Sequence, residues 1–86
     1  MSIIANQIEI LSDRHFTVRR EAADVTKALG EIANVIGFLI FRADGDTSGR
    51  SIVEGQKIWK MLSLELADLE YQLSDIEDDL AFMRGE

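Results

Sequence analysis

Cysteine and proline are both absent from this 86-residue chain. Without cysteine there is no disulfide framework, no thiolate zinc site, no iron–sulfur cluster and no cysteine nucleophile, and folding is indifferent to redox state. The lack of proline leaves long helical patterns uninterrupted. Basic side chains are scarce, 9 Lys and Arg against 16 Asp and Glu for a net charge of -7. That balance disfavours a groove for nucleic-acid backbone, whose affinity comes from neutralising phosphates, and makes a basic protein the better-matched partner. Apolar runs are short as well. The run that includes Gly37–Phe41 is far below the roughly 18 residues a membrane span requires. The segment Met1–Gln7 has no basic n-region, so no membrane association and a cytoplasmic location are expected.

What the chain has in quantity is helical periodicity. Alternate steps of three and four from Ile8 meet Leu11, His15, Val18, Ala22, Val25, Leu29, Ile32, Ile36 and Leu39, with only His15 not apolar. The same stepping from Ile52 meets Gly55, Trp59, Leu62, Leu66, Leu69, Leu73, Ile76, Leu80 and Met83, with only Gly55 out of pattern. These are coiled-coil seams, and they predict helix A over about 3–42 and helix B over about 51–84. The intervening segment 43–50 lies in the only cluster of turn residues, Arg42-Ala-Asp-Gly-Asp-Thr-Ser-Gly-Arg-Ser51. Ser51 and Glu54 have capping-box spacing for the start of helix B. Arg84 and Gly85 suit its end.

If the helices fold back antiparallel, facing seam residues should share one numerical sum. Leu39 with Ile52, Ile36 with Gly55, Ile32 with Trp59, Val25 with Leu66 and Ile8 with Met83 all do. The same register sets Arg14 by Asp79 and Arg19 by Glu70, exposed pairs worth tenths of a kcal/mol each. The expected fold is an all-α, single-domain helical hairpin.

Such a rod has a thin core, and many apolar residues lie off the seam. Met61, Leu64 and Tyr71 share the outer side of helix B. Phe38 and Phe41 occupy outer positions on helix A, and Ala23, Gly30 and Gly37 form a smooth ridge at heptad spacing. A mid-helix glycine costs roughly 1 kcal/mol against alanine, so this ridge suggests a packing surface. Self-association is therefore expected, most simply two hairpins forming a four-helix bundle through these residues. Opening the loop 43–50 would exchange helix B between chains with the same layers. Trp59, Val35 and Ile58 are expected to thicken the core at the loop end, and the overhang from Met1 to about Gln7 to fray or dock on a neighbour.

Three constellations invite a chemical reading. His15, a polar residue at a seam position opposite Ile76 with Asp79 and Arg14 near, can set register or titrate near neutrality. The plainer reading is a ring edge reaching solvent, since a lone His builds neither a triad nor a usual metal site. Asp44-Gly-Asp46-Thr-Ser48-Gly49 reproduces the opening of an EF-hand calcium loop. Continued from Asp44, that pattern meets Gly55 where the bidentate Glu belongs, and a polar turn is the simpler account. Glu21-Ala-Ala-Asp24 and Glu65-Leu-Ala-Asp68 each place two carboxylates on one helical face, and four converging carboxylates can hold Mg²⁺. In these two segments the chain resembles all-α nucleoside-triphosphate pyrophosphatases of the MazG type, whose metal site joins acidic motifs on two helices. The resemblance implies Mg²⁺-dependent nucleotide hydrolysis with Glu21, Asp24, Glu65 and Asp68 as ligands. It stops short of that family's fuller Glu-Glu-x-x-Glu motif, and a solvated acidic face is the alternative.

The most distinctive charge feature is Asp68, Glu70, Asp75, Glu77, Asp78 and Asp79, an acidic run with no intervening base. Such runs usually keep a helix solvated. They also steer basic partners. The best-supported class is thus a small, acidic, oligomeric interaction protein without a cofactor, a non-enzyme acting as a stoichiometric adaptor or inhibitor of a basic protein. A phage-encoded inhibitor of a nucleic-acid-binding complex fits this size and charge by analogy. An oligomer with a small ligand at its subunit junction is the remaining alternative.

Overall fold

The computed structural model describes residues 3–85. It contains two helices, α1 (Ile3–Arg42) and α2 (Arg50–Arg84), folded back on one another as an all-α hairpin. The hairpin is 64 Å long and only 17 by 14 Å across, the length that about 40 residues at 1.5 Å each require.

The helices meet along the seam that the periodicity marks. Val18, Ala22, Leu69, Ile76 and Leu80 form a buried cluster, with Ile8, Leu11, Val25, Leu66 and Leu73 packed against it. At one layer of the loop half Ile36 faces Gly55. A Cβ built on Gly55 would stand 3.0 Å from the Ile36 Cγ1, so the absent side chain is what admits the isoleucine.

The clustered core occupies the half of the hairpin remote from the loop. In the loop half Ile52 is the buried hydrophobic residue. Trp59, on the seam, remains 43% exposed, and its flanks Val35 and Ile58 are exposed too. The expectation of a thickened core at the loop end is therefore corrected. Two helices present only one contact line to each other, and an indole beside a glycine layer has no third element to cover it. Of the N-terminal overhang, residues 3–7 are helical and exposed, whereas Met1 and Ser2 lie outside the described residues.

The ends of the helices show how the turn is built. α1 closes with Gly45 N–H donating to Ile40 O at 3.0 Å and Asp44 N–H to Phe41 O at 3.2 Å, the paired bonds of a Schellman motif. Asp44, at φ 53°, and Gly45, at φ 85°, are both left-handed, the first a position aspartate tolerates better than most side chains. α2 starts one residue before Ser51, capped by the backbone of Gly49 with no side-chain hydrogen bond. The Ser51–Glu54 capping box is thus not formed, because at Ser51 the backbone is already helical and the cap position lies upstream. Glu54 instead approaches Lys57 at 4.0 Å. At the far end Gly85, left-handed at φ 76°, donates its N–H to the carbonyls of Ala81 and Phe82, as expected of a glycine there.

Candidate interaction surface

The acidic run lies along one exposed length of α2. Asp68, Glu70, Asp75, Glu77, Asp78 and Asp79 are all exposed. Two of these carboxylates have partners: Asp68 accepts from Gln72 Nε2 at 2.9 Å, one turn on, and Glu77 accepts from His15 Nε2 at 3.1 Å. The pairs Arg14–Asp79 and Arg19–Glu70 are not formed; among the described residues the cross-helix ionic contact is His15–Glu77. Flanking side chains on so narrow a hairpin splay into water, where solvation and side-chain entropy outweigh a surface ion pair. The negative field of the run is consequently left almost unneutralised.

His15 takes its seam position with the ring one-quarter exposed, its Nε2 within hydrogen-bond distance of Glu77 Oε1. The partner is Glu77 rather than the expected Asp79. A helix-to-helix hydrogen bond at a seam position fixes register, the role a polar seam residue commonly takes.

The loop is a hydrogen-bonded turn. Asp46 Oδ1 accepts from the Ser48 hydroxyl at 2.6 Å and from the Ser48 amide at 2.9 Å, an Asx turn. These two bonds, the hydroxyl first, hold the Asp46 carboxyl below the usual carboxylate range. The helices return antiparallel instead of splaying as an EF-hand's do. Nor do Glu21, Asp24, Glu65 and Asp68 converge: among the described residues no three Asp, Glu or His side chains stand close enough to share a metal ion. Asp24 and Asp68 are exposed on the outer flanks of their helices.

Charge and apolar surface are distributed unequally. Residues 27–64, the loop half, carry five basic and four acidic side chains, net +1, and the remaining open half carries four basic and twelve acidic, net -8. The proposed packing residues Ala23, Gly30, Gly37, Phe38, Phe41, Met61, Leu64 and Tyr71 are all exposed, Phe41 to 81%. Arg42 lies over the Phe38 ring at 5.8 Å, a partial cover by cation–π contact. Between the helices of the loop half runs an open groove of about 300 Å³ lined by Ala33, Ile36, Gly37, Ile40, Gln56 and Trp59. Its outer wall residues Ala33 and Ile40 continue, with Ala23, Thr26, Gly30 and Gly37, a second three–four stripe on α1, and that spacing is the sequence signal for the groove.

No helix in the described residues is long and apolar enough to cross a membrane. Comparison with protein-family models, curated proteins and solved structures finds no match to this chain, so the functional reading rests on its own surface.

Proposed function

We propose that this chain is a self-associating helical hairpin that acts as a stoichiometric binder of a basic protein, using the acidic run of α2 as the recognition surface. The observation that carries the reading is the mismatch between its core and its surface. No large side chain among the described residues is fully buried, while Phe38, Phe41, Met61 and Leu64 of the loop half are more than half exposed. A compact monomer of 9.7 kDa exposes about 5,100 Å². This hairpin exposes 6691 Å², an excess of roughly 1,600 Å² per chain. Doubled for a pair, that falls within the range of about 2,000–5,000 Å² buried by obligate homodimers.

Self-association would cover apolar surface and leave the carboxylates outside, since burying them unpaired costs several kcal/mol each. The assembled protein would then present concentrated negative charge to a cationic partner, accelerating encounter and selecting against nucleic acid and other polyanions. No bound ion and no chemistry is needed for this role.

Two measurements test it. Light scattering behind size exclusion should give a mass at least twice the chain mass. Affinity capture should retain basic proteins that about 0.5 M salt releases, and a variant with Asp75, Asp78 and Asp79 changed to Asn and Glu77 to Gln should lose them while keeping its mass. A monomer, or capture indifferent to the four substitutions, contradicts the reading.

A further inference from the structure

We infer that the loop-half groove is the seat of a second copy of this chain, and that two copies overlap by their loop halves alone, antiparallel, with the open halves pointing away from each other. This rests on the self-association reading above and adds where the copies meet and how they are oriented.

The groove has the shape and chemistry for a helix of the same protein. Its lining is apolar apart from Gln56, and Trp59 lays a large, half-open ring along it. Gly37 supplies an open wall: a Cβ there would meet nothing within 4 Å. Helices approach most closely over such residues, and an interaxial distance of about 8 Å needs a small residue at the crossing. The groove on the opposite side of the same half carries Glu31 and Ser51 at its margin, so the face with Gly37 is the one that can dry without stranding a carboxylate.

Orientation follows from charge. Side-by-side parallel packing would bring two open halves, each net -8, to within about one Debye length, where water and salt screen them least. Full antiparallel overlap would separate like ends but press the apolar groove of each copy onto the acidic run of the other, desolvating carboxylates without partners. Half-overlap avoids both. The two nearly neutral loop halves, net +1 each, cover one another in a two-fold contact that uses the same groove twice. The acidic runs then lie at the two ends of a longer rod, accessible to two partner molecules.

The test uses the full chain, which has no cysteine and so accepts a single spin label at Ser48→Cys. Half-overlap over about 20 residues at 1.5 Å each sets the two labelled loops roughly 30 Å apart. Full antiparallel overlap would give about 60 Å, and parallel packing would bring them nearly into contact; either distance overturns the inference. In parallel, Gly37→Leu should halve the mass seen by light scattering with helicity unchanged, because the added side chain projects from the groove wall, where a Cβ meets nothing within 4 Å. A Gly37→Leu protein that stays folded and keeps the wild-type mass places the interface elsewhere and overturns the inference while self-association stands. Should that variant lose its helicity, the label distance decides. A wild-type monomer would instead overturn the self-association reading itself, so the two failures are distinct.

Discussion

The two halves of this hairpin are made of the same heptad pattern and end up physically different. In the open half, Val18, Ala22, Leu69, Ile76 and Leu80 bury themselves against one another, and the outside is strongly acidic. In the loop half Trp59 stays 43% exposed, the outside is nearly neutral, and apolar surface stands open beside Gly37. Periodicity alone does not make a core. The volume and branching of the residues at each layer decide whether two helices can close over them, and the half that fails to close is the half left with surface to share.

The largest test of this contrast is truncation at matched seam positions. Ile76, 4% exposed, should cost about 3 kcal/mol as Ile76→Ala, the usual range for a buried aliphatic. Trp59→Ala, although it removes a bigger side chain, should cost less than Ile76→Ala in the dilute monomer because much of the ring is already solvated. Urea melts of both variants at low protein concentration measure the difference. Equal losses would show that the loop half is as well packed as the open half.

Glycines sharpen the same comparison at smaller scale. Gly30 has open space where a Cβ would be, so Gly30→Ala should stabilise the dilute hairpin by about 1 kcal/mol through helix propensity. Gly55→Ala gains the same propensity but crowds Ile36 at 3.0 Å, and should fall short of Gly30→Ala by about 1 kcal/mol. Thermal melts of the two variants check the order; Gly55→Ala matching Gly30→Ala would mean that the Ile36 layer is soft.

The smallest effect belongs to the turn joining the halves. Asp46 is held below its ordinary pKa by the Ser48 hydroxyl and amide, so the ionised form is the one the turn favours. Its contribution is present above the usual carboxylate pKa, near pH 4, and is lost as pH falls through the lower, folded value. The Ser48 amide should exchange faster relative to its neighbours as pH drops through that window, and Asp46→Ala should remove the dependence. An Ser48 amide resonance that ignores pH there would show the turn to be held by backbone bonds alone.

Much of the fold was legible before any coordinates. Seam residues from Ile8 to Leu39 and from Ile52 to Met83 could be read from steps of three and four, because a helix repeats its face at that spacing whatever surrounds it. The antiparallel register followed from the constant layer sum, and the role of Gly85 from the freedom of glycine in the left-handed region. Local details were less legible. Ser51 and Glu54 carry a capping signal, but Gly49 ends up as the cap; the register sets Arg14 and Arg19 opposite acids, but neither pair forms; His15 meets Glu77 rather than Asp79. Each is a competition between contacts that differ by under about 1 kcal/mol, too small for spacing to settle. For the interaction surface, the acidic run was plain in the sequence, whereas the groove between Ala33, Ile40 and Trp59 was not, since a groove is defined by what two helices leave uncovered.

Two long helices joined by one turn, an apolar seam and a negative α2 follow from residue spacing and type, because helix periodicity, turn residues and charge are local properties. Which half of the seam closes does not, because closure depends on the fit of facing side chains across the hairpin, and that fit exists only once Ile36 meets Gly55 and Trp59 is left at the edge.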